Sequence, residues 1–171
     1  MKCGIALDLG TSGFRCQAID LDTHATLASA VTERHPIPGM NVIDHVNFAM
    51  KSGEDTANSL MIEAVNNLFS ALGIDLGCVE TIAVCGNPFQ LSLFQNIEIR
   101  DLAYAGKNMI KDLGIVSPER NGDIVSAGSL GIVGVPYDAK VIIPPAVTHE
   151  IGADALAMML MTGILDQEEP C

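Results

Sequence analysis

The sequence predicts an α/β fold built on a mixed five-stranded sheet, with element order βββαβαβα and helices on both faces. Three observations predict it. The chain opens with three short β-patterned runs and no helix between them. Each later strand candidate follows a segment of helical period. Those later strands, residues 81–85 and 140–143, are short apolar runs ended by a Gly-Asn-Pro and a Pro-Pro break. An antiparallel opening followed by strand–helix crossovers implies a mixed sheet covered on both sides.

Residues 3–7 are apolar at nearly every position, as in a strand buried on both faces. Along 14–19, Arg15 and Gln17 alternate with Phe14, Cys16 and Ala18. Turn chemistry from Asp20 to Thr23 separates this strand from a third over 26–34. Two prolines and a glycine make 35–41 a loop, and 42–50 suits either a strand or a short helix. A strong helix begins at Ser52, where Ser52 and Asp55 approximate a capping box. Its apolar face is Ala57, Leu60, Met61, Ala64, Val65, Leu68 and Leu72, and Gly73 supplies the stop. After strand 81–85, residues 89–94 form a helical turn or short helix. The face Leu102, Ala105, Met109 and Leu113 makes 101–113 helical, closed by Gly114, whereas 117–131 read as loop or weak helix. The closing helix, 152–165, carries Ala153, Leu156, Met158, Met159, Leu160 and Ile164 and has no polar face. It asks for burial on several sides, as a helix between two lobes would. The acidic tail 166–169 follows.

At 171 residues the chain suffices for one domain with a sizeable core, or for half of a two-lobed protein. A net charge of −12 and a pI near 4.4 oppose a nucleic-acid or anionic-membrane partner. No apolar run approaches the ~20 residues of a bilayer span and no signal-peptide pattern opens the chain, so the expected location is the cytoplasm. Cys3, Cys16, Cys78, Cys85 and Cys171 are dispersed, with no C-x-x-C pair. They fit reduced thiols acting as small hydrophobes and supply neither zinc nor iron–sulfur spacing. His35, His45 and His149 lie too far apart for a helix-spaced metal pair, and each alone suits a structural or exposed role.

The chemistry concentrates at Asp8-Leu9-Gly10-Thr11-Ser12-Gly13, between the first two strands. Gly10 and Gly13 permit a tight turn whose amides converge, and Thr11 and Ser12 add hydroxyl donors. Asp8 puts a carboxylate at the strand end. The set suits a phosphate held by backbone N–H groups, with Asp8 facing a hydrated Mg²⁺. The same letters also suit a hairpin whose glycines serve only the turn. Asn87, at the carboxyl end of a buried strand, faces the crevice where open α/β sheets take ligands, or is a turn residue before Pro88. Gln90 is close enough to orient a water or a phosphate, although a surface helix residue explains it more simply. Arg100 and Asp101 read as a solvated pair at a helix start. Ala153 and Asp154, after Gly152, permit close contact between lobes or form an ordinary helix N-terminus.

Five stretches together carry a resemblance: G-I-A-L-D-L-G-T-S-G (4–13), R-H-P-I-P-G (34–39), A-V-C-G-N-P (83–88), I-E-I-R-D-L-A (97–103), and I-P-P-A with H-E-I-G-A-D-A (143–155). The first motif and the element order resemble one lobe of the actin-like ATPase (ribonuclease-H-like) fold, the ASKHA superfamily. The whole pattern is similar to the reductive activators of corrinoid-dependent methyltransferases, in particular the methylamine methyltransferase corrinoid protein reductive activases of methanogenesis. The resemblance implies ATP-dependent reduction of a Co(II) corrinoid protein to the Co(I) methyl acceptor. It implies Asp8 as the catalytic carboxylate near Mg, contacting it through water, and a phosphate cradle of Gly10, Thr11, Ser12 and Gly13, with Asn87 and Gln90 beside it. The iron–sulfur cluster of such a protein is expected elsewhere in the full-length chain.

No second D-x-G-T motif follows, so residues 1–171 are expected to be the N-terminal lobe of a longer protein, inactive alone, with 150–165 as the interlobe helix. That helix, left exposed, would drive a homodimer burying Leu156, Met159 and Leu160. A lobe of a small-molecule kinase is the alternative, but no Asp or Glu lies between Gly86 and Gln95 to act as base. A nucleotide-gated binding module without chemistry is another. A ribonuclease-H-like nuclease would need clustered carboxylates and basic surface, against the −12 charge.

Overall fold

The computed structural model describes residues 2–103, 107–145 and 153–162. Strands β1 (Cys3–Gly10), β2 (Gly13–Asp20) and β3 (Thr26–Val31) form the antiparallel opening. Helices α1 (Val42–Ser52) and α2 (Glu54–Ser70) lead to β4 (Val79–Gly86), which pairs parallel with β1. Three short helices follow, α3 (Pro88–Phe94), α4 (Arg100–Ala103) and α5 (Lys107–Asp112). Then come β5 (Asp123–Ser126), β6 (Lys140–Ile143) and α6 (Ala153–Thr162).

The sheet has six strands in the order β3-β2-β1-β4-β6-β5, not the five expected. The added strand, β5, lies in the stretch read as loop. It is four residues long and bonds only to β6 at the sheet edge, too short a run to show alternation in the sequence.

Helix boundaries also differ. Residues 42–50 resolve as helix, because Asn41 Oδ1 accepts from the Asp44 amide (3.0 Å) and caps α1. That helix runs through Ser52, so the expected Ser52 capping box does not form. Gly53, at φ +96°, separates α1 from α2 instead.

The core lies on one face of the sheet. Ile5, Leu7, Leu9, Phe14, Ile82 and Val141 project into it, and α2 returns Ala57, Met61, Val65 and Phe69. Burying each large side chain contributes about 1.5–3 kcal/mol, so this face holds the molecule together. Helix α6 contacts β4 from the other face, as the expectation of helices on both sides required. Met158, Leu160 and Met161 of α6 stay largely exposed. Gly152, His149, Cys171 and the acidic tail lie outside the described residues.

The cysteines depart from the expectation of reduced thiols. Cys3 and Cys78 form a disulfide with a Cα–Cα distance of 5.4 Å. The β1–β4 register sets Cys3 against Val79, which brings the preceding Cys78 alongside from 75 residues away. Cys16 behaves as expected of a core thiol: burial pushes its pKa up to about 11.

Candidate functional site

The β1–β2 register pairs Asp8 with Arg15 and Gly10 with Gly13, leaving Thr11 and Ser12 as a two-residue turn. Two close approaches require glycine here. A Cβ on Gly10 would lie 2.8 Å from the Gly13 carbonyl oxygen, and one on Gly13 would lie 2.8 Å from Thr32 Oγ1. That hydroxyl accepts from the Phe14 amide (2.8 Å) and so anchors the hairpin to the chain leaving β3. The turn closes tightly because neither flanking glycine carries a Cβ, and Ser12 at its tip is exposed.

Strand β4 ends beside this turn, and Asn87 caps α3. Its Oδ1 accepts from the Gln90 amide (3.0 Å), and its Nδ2 donates to Thr11 Oγ1 (3.3 Å). Asp8 is half-buried one β1 repeat below the turn, with Cys85 Sγ 3.7 Å from its Oδ1. Asp8, Gly10, Thr11, Gly13 and Asn87 thus meet at the carboxyl ends of β1 and β4, and Ser12 sits exposed at the tip. Asp8 and Arg15 also border a cavity of about 530 Å³ between the open sheet face and α6.

Gln90 does not join this group at the surface. It is fully buried, and both ends of its amide are engaged. Oε1 faces His35 Nε2 (3.0 Å), and Nε2 faces His45 Nδ1 (3.1 Å). The two rings stack at 3.9 Å, and Phe14 meets His35 edge-on. Burial lowers the pKa of His35 to about 4, helped by His45. Burial also lowers that of His45, with Asp44 and the Gly39 carbonyl acting in the other direction. This cluster has no signal in the sequence, since its members lie 45 and 55 residues apart.

Arg100 and Asp101 are not a pair. Arg100 binds Glu98, which holds the Glu98 pKa down at about 2. Asp101 is buried in a bidentate pair with Arg120 (2.7 Å at each oxygen). Arg120 also donates to Ser92 Oγ and the Glu98 carbonyl, tying the 117–131 segment to α3.

No cluster of three His, Cys, Asp or Glu converges among the described residues. Asp8 therefore stands as a single carboxylate beside amide and hydroxyl donors. Such a set can take an anion and hold a hydrated divalent cation by one carboxylate, the remaining ligands coming from the anion and water.

Fold and hairpin together define a mixed α/β protein with a tight glycine-flanked turn at the strand ends. Residues 3–167 match the family model described as RACo middle region, and the chain belongs to that family. It is 56% identical over 169 residues to the Co(II) methylated amine-specific corrinoid protein reductase of Methanosarcina barkeri. That match covers 98% of this chain and 31% of the relative, so the chain spans about a third of that protein's length. A solved reductive activator for corrinoid,iron-sulfur protein matches in fold, with a TM-score of 0.80 at 22% identity, over 98% of this chain and 26% of that one.

Proposed function

We propose that this chain is one lobe of an ATP-dependent reductive activator, actin-like in fold, that returns a Co(II) corrinoid protein of a methylamine system to Co(I). The observation that carries the reading is the Asp8–Gly13 hairpin joined to Asn87 through Thr11, in a chain 56% identical to a corrinoid protein reductase. ATP, with Mg, supplies the binding and hydrolysis energy. Backbone N–H groups from Gly10 to Gly13 and the Thr11 and Ser12 hydroxyls would hold its phosphates. Asp8 would orient a water on Mg. Asn87 would fix the turn from the β4 side.

The coupling is conformational. A ligand shifts an equilibrium only by its differential affinity for two states, so nucleotide must bind one lobe arrangement better than the other. Helix α6, apolar and largely exposed, suits the contact with a second lobe of the same polypeptide. The iron–sulfur cluster that delivers the electron is placed elsewhere in that polypeptide. No helix among the described residues is long and apolar enough to cross a membrane, in keeping with a cytoplasmic protein.

Titration calorimetry of the full natural chain with MgATP tests the half-site. Asp8→Ala is expected to weaken MgATP binding about tenfold or more, the scale of a lost charge-assisted contact. Equal affinity in the variant would remove Asp8 from the site.

A further inference from the structure

The shortest contacts of the His35–Gln90–His45 cluster favour one hydrogen-bond sense. His35 Nδ1 lies 3.0 Å from the Ile37 amide and 3.3 Å from the Ile37 carbonyl; with the nearer amide donating, the ring hydrogen sits on Nε2 and points at Gln90 Oε1. Gln90 Nε2 then donates to His45 Nδ1, which leaves the His45 hydrogen on Nε2, a buried atom that no group meets at full hydrogen-bond geometry, although the Gly39 carbonyl acts on the ring. A proton added at His45 Nδ1 would set N–H against N–H. Turning the Gln90 amide over would only move the conflict to His35 Nε2. A proton added at His35 Nδ1 would have the more distant Ile37 carbonyl (3.3 Å) to meet and would cost the Ile37 amide its acceptor. The arrangement suits two neutral rings better than a third ring proton.

The groups around the pair offer little to offset such a charge. Phe14 of β2 and Gln90 of α3 bring none, Ile37 and Gly39 of the loop present backbone groups, and Asp44 of α1 is the carboxylate that acts on His45. The rings are stacked, so a charge on one opposes a charge on the other.

Gln90 is also one turn into α3, and its own amide is the donor that Asn87 Oδ1 accepts, while Asn87 Nδ2 reaches Thr11. The side chain of Gln90 is thus clamped by the histidines and its backbone holds the residue that meets the hairpin. We propose that His35, Gln90 and His45 form a positioning relay for Asn87, so that anion binding at the Asp8–Gly13 hairpin persists while both rings are neutral and weakens when either takes a proton. The inference rests on the phosphate reading of that hairpin.

The test uses the full natural chain with MgATP as probe. Gln90→Leu removes the clamp and is expected to weaken MgATP about fivefold or more near neutral pH. The ratio of wild-type to Gln90→Leu affinity, in which titration of the phosphate itself cancels, is expected to fall toward one as pH falls from about 7 to about 4.5 and the rings take up protons. Wild-type affinity in Gln90→Leu at neutral pH, or a ratio that stays constant over that range, overturns the relay. If the wild type binds no MgATP at any pH, the phosphate reading fails and ¹⁵N resonances of the wild type decide the relay separately. The Thr11 and Asn87 amide signals are then expected to shift together with the His35 and His45 ring signals as pH falls. Static Thr11 and Asn87 signals during ring titration overturn it.

Discussion

Asn87 joins α3 to the hairpin with both ends of one amide, accepting from Gln90 and donating to Thr11. Its position was legible in the sequence, because a Gly-Asn-Pro break after a buried apolar run places a polar residue at a strand's carboxyl end. The environment of Gln90 was not. Helical spacing fits Gln90 as a surface residue, and only the fold brings His35 and His45 to it. Those neutral rings have a consequence for stability. His35 has its folded pKa lowered from 6.5 to about 4, so the unfolded chain takes the proton first as pH falls. Stability is therefore full above pH 6.5 and declines through the window down to about pH 4. Thermal unfolding of the full chain across that window is expected to show a slope that His35→Phe reduces by about one proton. An unchanged slope would mean that His35 titrates normally in the fold.

Among the elements, α2 and the first hairpin were readable because local pattern and tertiary role agree. The apolar stripe of α2 is the face that packs on the sheet, and the glycines of the hairpin are those the turn requires. Strand β5 and the ties that fasten α3 and α4 were not, since their partners are distant in the chain. Arg120 sits in an unpatterned stretch, yet it makes four hydrogen bonds that fasten Ser92, Glu98 and Asp101. Asp101 is 2% exposed. Arg120→Ala would leave a carboxylate buried without its cation, at a cost of about 3–5 kcal/mol. Denaturant unfolding is expected to show that loss, and to show a smaller one when Arg120→Met is combined with Asp101→Leu. A loss equal in both would place the cost in packing rather than charge.

For the molecule as a whole, the open sheet face and α6 are unfinished surfaces. Ala6, Arg15, Gln17 and Ala83 line that face, and α6 leaves Met158, Leu160 and Met161 outward. An apolar patch of this kind marks an interaction site. A second lobe of the same polypeptide is the occupant in keeping with a relative of which this chain covers 31%. A homodimer burying Leu156, Met159 and Leu160 of α6 is the competing occupant; Met159 and Leu160 are exposed, and the side chain of Leu156 lies outside the described residues. The family was legible because several of its motifs, such as 34–39 and 83–88, fall at strand ends and loops, where site chemistry concentrates. How the proposed lobes would move was not, because the proposed site residues of this chain all lie in one of them. The most direct test mixes the full natural chain, a Co(II) corrinoid protein, a low-potential reductant and MgATP, and follows Co(I) by absorbance. Co(I) is expected to form only with MgATP and to fail with Asp8→Ala. Co(I) formation without nucleotide, or at the wild-type rate in Asp8→Ala, would contradict an ATP-driven activator working through this hairpin.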